Sequence, residues 1–240
     1  MTLADAIAQW LEAMARDDSV SQACAESRAL SLAWLTIYFG KNRRLDELTP
    51  ARLRDFLARW FIENAGLASH RANDLSSPGE LPETASLMAA LAEFIDWVAR
   101  NRGFAAASEC LAVIAELRER LPRALAISGR LSEHLAGRGG AFGFPEFLTS
   151  FEAGGHSQYD FDTAGESGCM EGYFRILRVE DGQVEAEELL TETRAWPILF
   201  PDSVAALLEN DYIINMELVR AAEGWHVAAC GFAYPPGTEV

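Results

Sequence analysis

Residues 45–61, LDELTPARLRDFLARWF, decide how this chain folds. Thr49 carries the short side-chain oxygen that caps a helix, and Pro50 fits the first helical position, where a missing N–H costs nothing. Leu53, Phe56, Leu57, Trp60 and Phe61 then recur at i, i+3, i+4, i+7 and i+8, one face of a 3.6-residue helix. That spacing places all five side chains against a core, Trp60 included.

Amphipathic segments surround this helix. Ile7, Trp10, Leu11 and Met14 mark a first one, with Thr2 as its cap, and Asp17-Asp18-Ser19 ends it. A second runs from about Ser21 to Phe39 and closes at Gly40. After the central helix comes a polar loop from Gly66 to Glu80, then a helix from about Pro82 that ends at Gly103. The next carries Cys110, Ile114, Leu117 and Leu121. Pro122 is expected to end or kink it, because a mid-helix proline removes one hydrogen bond and crowds the preceding turn. A further helical piece reaches Leu135. The count is five or six helices, with no strand before Gly137.

Beyond Gly137 the period of the apolar residues changes. Residues 138–171 are rich in Gly, Ser and acidic side chains and are expected to be a linker, with one short helix near Pro145–Phe151. From Tyr173 onward five apolar runs alternate with turn signals: Tyr173–Val179, Val184–Leu190, Ala195–Phe200, Tyr212–Val219 and Trp225–Phe232. Asp181-Gly182 and Glu223-Gly224 have the residue types of hairpin turns, and Pro201–Glu209 fits a short helix. The expected fold is therefore α+β: a helical bundle over 1–137 and a small, mostly antiparallel, barrel-like domain over 172–240.

The net charge of −16 is unevenly shared. Residues 1–138 hold 16 Lys+Arg and 18 Asp+Glu; residues 139–240 hold 4 and 18. The C-terminal part would repel a phosphate backbone, whereas the N-terminal part has room for a local basic patch. No run nears the roughly 18 apolar residues a membrane helix needs, and Asp5 stands where a signal peptide wants a cation. Cys24, Cys110, Cys169 and Cys230 form no CxxC pair and fit reduced, packed thiols. A cytoplasmic location and no membrane partner are expected.

With its flanking helices, the central stretch resembles the SAM-like N-terminal core-binding domain of phage-integrase-type tyrosine recombinases, over roughly residues 3–103. The matching positions are Leu45, Leu48 and Thr49, the stripe Leu53, Phe56 and Leu57, and the later Thr84, Leu91, Phe94 and Trp97. The resemblance implies a helical domain that clamps DNA opposite a catalytic domain bearing an Arg, a His-x-x-Arg pair and a nucleophilic Tyr. That second part has no counterpart: His134, His156 and His226 are followed three residues on by Gly137, Tyr159 and Ala229. Where the family places a basic contact after the Leu of its "ALxxF" helix, this chain has Ala92 and then Glu93.

Lys41, Arg43, Arg44, Arg52, Arg54 and Arg59 cluster around the central helix and are the candidate nucleic-acid contacts. The competing interpretation is a solvated face with Arg52–Asp55 and Asp55–Arg59 pairs, which the acidic neighbours Asp46, Glu47 and Asp55 favour. Gly137–Gly143 lacks the preceding strand of a phosphate loop. His156, Asp160, Asp162 and Cys169 match no zinc or calcium spacing. Glu185 and Glu187 alternate with Val184 and Ala186, as on a half-exposed strand. Trp196, Trp225, Phe232 and Tyr234 could form a binding platform or the barrel core. No cofactor and no catalytic constellation are expected. The expected function is that of a non-enzymatic binding or adaptor protein whose acidic β domain engages a protein partner. Its rival is an integrase-derived DNA-binding accessory protein.

Overall fold

The computed structural model describes residues 1–17, 19–70, 82–137 and 168–240. It is an α+β fold whose contacts divide the chain into two compact units, Met1–Leu121 and Pro122–Val240. The first unit is helical. Helix α1 (Leu3–Ala15) opens on a capping box, with Thr2 Oγ1 accepting from Asp5 N and the Asp5 carboxylate from Thr2 N, both at 3.1 Å. Helix α2 (Gln22–Phe39) is capped by Ser21 and stopped by Gly40 at φ 83°. A 3₁₀ turn (Leu45–Glu47) leads to α3 (Pro50–Asp55), where Thr49 Oγ1 accepts from Arg52 N at 3.3 Å. Helix α4 (Phe61–His70) carries on past Gly66, where the sequence suggests a loop. Helix α5 (Thr84–Arg102) ends at the left-handed Gly103, and α6 spans Ala107–Gly137.

Between α3 and α4 the chain makes a π-helical turn, Phe56–Trp60, in which Phe61 N bonds to Phe56 O. A π turn carries one residue more than the α-helical path, so every later side chain moves one position round the axis. The buried stripe becomes Leu53, Phe56, Leu57, Phe61, Ile62 and Ala65. Phe61, 1% exposed, takes the core position that regular spacing assigns to Trp60, and Trp60 is left half-buried at the edge. The expected burial of Trp60 is thus corrected by one residue.

Two ion pairs between helices clasp this unit. Arg28 of α2 grips Glu93 of α5 at 2.7 and 2.5 Å, and Arg54 of α3 holds Glu116 of α6 at 3.1 Å. Glu93 is thereby tied to α2 rather than left free on the surface of α5.

Pro122 does not break α6, which runs through it unbroken for 31 residues. The contacts divide the chain into units at this proline; most of the 138–171 stretch singled out from composition lies outside the described residues, as does the suggested helix near Pro145–Phe151. Residues from Pro122 onward are bonded to the β elements. Ser128 Oγ accepts from Ala233 N at 2.8 Å, Arg130 donates to Ser203 O at 2.5 Å, and Arg123 pairs with Glu209.

The β elements close a five-stranded barrel: β1 (Cys169–Glu180), β2 (Gln183–Glu188), β3 (Arg194–Leu199), β4 (Ile213–Ala221) and β5 (Gly224–Tyr234). A short helix α7 (Asp202–Ala205) joins β3 to β4. The spatial order β1-β2-β3-β5-β4, with β1 also pairing β4, makes a Greek-key barrel of the OB type. All pairings are antiparallel except β3 with β5, which is parallel and covers only Ile198↔Trp225 and Leu199↔His226. Asp181 (φ 49°) and Gly182 (φ 79°) turn β1 into β2, the two positive φ values that a tight hairpin wants. The turn into β5 sits one residue earlier than expected, at Ala222-Glu223, with Gly224 already in the strand. Phe174, Ile176, Val184, Ala186, Ile198, Ile214, Met216 and Leu218 fill the interior.

One carboxylate is built into this barrel. Glu188, 7% exposed, accepts from Leu190 N (3.1 Å), Thr191 N (2.6 Å) and Thr191 Oγ1 (2.7 Å), fixing the β2–β3 loop. Burial pushes its pKa up, but the hydrogen bonds from Thr191 and Leu190 outweigh it and hold the carboxyl below its ordinary value. Room for it comes from Gly172, where an added Cβ would lie 2.5 Å from Glu188 Oε1. Gly172→Ala is expected to cost about 1–3 kcal/mol by overpacking. In Gly172→Ala/Glu188→Ala the steric part should vanish, so the two changes together should cost less than their sum in a double-mutant cycle of urea melts. The carboxylate's depressed pKa stabilises the barrel at neutral pH, and that share should fade as pH falls through the folded-state value. Additive losses, or a Glu188→Gln barrel with the acid sensitivity of the parent, would refute this account.

Candidate functional site

The central helix brings most of the sequence-marked cations near one another, together with carboxylates that absorb them. Arg43 pairs with Glu47 at 3.0 Å, Arg44 with Asp46 at 2.8 Å, and Arg52 with Glu47 at 3.4 Å. Arg59 pairs with Asp55 at 2.7 Å, and Arg54 is turned to Glu116. Of the expected local pairs, Asp55–Arg59 forms, while Arg52 chooses Glu47 instead and also lays its guanidinium over the Phe39 ring at 5.7 Å. Lys41 is the one cation of the six without a carboxylate partner among the described residues.

Asp55 has a second tie. It accepts from Tyr38 Oη at 2.5 Å; burial first, then this carboxylate, push the phenol up to about 12. Around the bond stands an aromatic cluster, with Tyr38 against Phe56 and Trp60 at 5.4 and 5.6 Å and Trp34 edge-on to Trp60 and Phe61 at 5.8 and 5.6 Å. The Trp34 indole N–H is buried with no hydrogen-bond acceptor among the described residues. Arg59 and Tyr38 hold the two oxygens of one carboxylate, so the Asp55 charge offsets that of Arg59 toward any incoming phosphate. The π turn that sets this geometry carries no local signal, since Phe-Leu-Ala-Arg-Trp is ordinary helical sequence; nearby aromatic packing accompanies it.

An open groove of about 890 Å³ also lies in the helical unit, beside Asp5, Gln9, Arg44, Arg102 and Phe104. Its arginines are engaged, Arg44 by Asp46 and Arg102 by the Gln9 side-chain carbonyl and the Trp97 ring.

The barrel presents a different surface. Described residues 168–240 carry 13 acidic side chains against 4 arginines. Trp225, Phe232 and Tyr234 are buried, whereas Trp196 on β3 keeps 39% of its surface exposed. Arg178 lies over the Trp196 ring at 4.8 Å and reaches Glu180 (3.2 Å) and Glu185 (3.4 Å). Arg194 bridges Glu185 (3.7 Å) and Glu187 (3.4 Å). Glu185 and Glu187 point outward while Val184 and Ala186 point in, matching their alternation in sequence. The β1–β2 and β4–β5 turns add Asp181 and Glu223. OB-type barrels that hold oligonucleotides use the β2–β3 face and these loops, and acidic loops there oppose a phosphate chain.

The described residues hold no group of three or more His, Cys, Asp or Glu placed to bind a metal. Of the four-residue cluster marked in sequence, only Cys169 is described; its thiol donates to Glu217 at 3.3 Å. Burial pushes Cys110 and Cys169 up to about 11 and Cys230 up to about 12, so these sulfurs stay protonated, and weakly nucleophilic, near pH 7. Among the described residues no helix is long and apolar enough to cross a membrane. Compared with known proteins, the chain matches no family model, no curated protein and no solved structure.

Proposed function

We propose that this chain is a non-catalytic binding or adaptor protein whose acidic barrel engages a basic surface of another protein. The observation that carries this reading is the barrel's excess of 13 acidic over 4 basic side chains around an exposed tryptophan. An excess of one sign steers an oppositely charged partner and raises the encounter rate, while an exposed Trp supplies contact energy. Anisotropy titrations of the full chain with a labelled alternating lysine–valine octapeptide test it. Saturable binding is expected, with none to the matching glutamate–valine peptide; failure of the lysine peptide to bind would end this reading.

The rival, DNA binding through Lys41, Arg43, Arg44, Arg52, Arg54 and Arg59, relies on cations of which five are already offset by carboxylates in ion pairs. Exposed pairs of this kind are worth only about 0–1 kcal/mol each, so the obstacle is the net field as much as the pairs. The full chain is expected to leave a duplex unshifted in a gel at about 50 mM salt, where phosphate contacts are strongest. A shift there that fades as salt rises would restore the DNA reading.

A further inference from the structure

We infer that the docking face of the barrel is the outer surface of β3 at Arg194–Trp196, and that it receives an extended, basic segment of a protein partner. This rests on the acidic barrel being the binding element and specifies where and how it binds. Three observations converge on that short stretch.

The first is the backbone. On one side β3 pairs with β2 through Arg194, Ala195, Ile198 and Leu199, with an irregularity at Trp196–Pro197. On the other side its pairing with β5 covers only Ile198 and Leu199, so Arg194–Trp196 has no strand neighbour there among the described residues. An unpaired edge can take an added strand, whose main-chain hydrogen bonds give affinity irrespective of side chains. Pro197, which has no N–H, closes this edge on its C-terminal side, so the added strand is short.

The second is Trp196. It is the large exposed aromatic of the described residues, where the other tryptophans of the barrel and the helical core are buried or half-buried. Arg178 covers part of the ring at 4.8 Å, and the remaining 39% exposure leaves a surface for a second cation or an aliphatic side chain.

The third is charge. Glu185 and Glu187 of β2 and Glu180 of β1 share Arg178 and Arg194, with Arg175 opposite Glu187, and the barrel as a whole keeps an excess of 13 acidic over 4 basic side chains. A partner's Lys or Arg, alternating with residues that lie against Trp196, complements that excess. An acidic strand or a nucleic acid does not. Glu217 lacks this setting: β4 is paired there on both sides, with Glu171 of β1 and Ala229 of β5.

The lysine–valine octapeptide tests this on the full chain, with melting curves confirming that each variant stays folded. Trp196→Ala is expected to weaken binding at least about tenfold, as truncating a central aromatic anchor does. Glu185→Gln should weaken it also, whereas Glu217→Gln, an equal change in charge, should leave it within about twofold, which separates a located site from diffuse attraction. In the unmodified protein the amide resonances of Arg194, Ala195 and Trp196 should shift most on titration. Peptide binding with unchanged affinity in Trp196→Ala, or with amide shifts centred elsewhere, overturns the site while the acidic-barrel reading stands. Absence of peptide binding to the unmodified chain overturns both.

Discussion

Phe61→Ala is expected to destabilise the helical unit by about 3–5 kcal/mol, and Trp60→Ala by clearly less. Regular helical spacing gives the opposite order, since Trp60 is the larger side chain and sits at i+7 from Leu53. The π turn at Phe56–Trp60 reverses it. Phe61 is 1% exposed and meets Trp34 at 5.6 Å and Phe56 at 6.3 Å, so truncation leaves a cavity among rings that cannot close over it. Trp60 stacks on Phe56 at 5.8 Å from the half-exposed side, and water can fill the space it vacates. Urea melts of the two variants decide between the registers. A larger loss for Trp60→Ala would mean that the helix keeps its α-helical path through this stretch.

What the sequence made legible, and what it did not, follows the range of the interactions involved. Thr2, Ser21, Thr49, Gly40 and Gly103 act on backbone groups within a turn of themselves, and each caps or stops the helix its residue type announces. The five β runs show the same local logic, because alternation at period two is a property of one strand. The π turn is different. Its cost is met by contacts with Trp34 and Tyr38, some 20 residues earlier in the chain, so no window around it could reveal it. Pro122 shows the reverse case, a strong local stop signal overruled. Helical residues on both sides, Leu117 and Leu121 before it and Ala124 and Ile127 after it, are buried, and their packing carries α6 across the missing hydrogen bond. The cation cluster was legible as residues but not as chemistry. Glu47 and Asp55 stand within five positions of their arginines, whereas Glu116 and Glu93 come from elements far along the chain.

Gly224→Ala is expected to cost the barrel on the order of 3 kcal/mol, more than most substitutions at an otherwise half-exposed position. The parallel seam between β3 and β5 consists of two residue pairs, Ile198↔Trp225 and Leu199↔His226, and Gly224 stands at its entrance. An added Cβ would lie 2.7 Å from the backbone carbonyl oxygen of Pro197, a contact that no side-chain rotation can relieve. The glycine also sits at φ 148°, a conformation that L side chains rarely adopt. Strain and clash therefore act on the same link, and the chain can escape only by moving β5 away from β3. Such a movement would spoil the seam and lengthen the free edge of β3 beyond Trp196. Two readouts should consequently change together in this variant: the barrel's melting midpoint should fall, and amide exchange at Ile198 and Leu199 should accelerate while that of the β1–β4 ladder persists at temperatures well below the melt. Uniform acceleration over all five strands would show instead that the seam opens only with the whole barrel, and an unchanged midpoint would show that Gly224 does not hold β3 and β5 together.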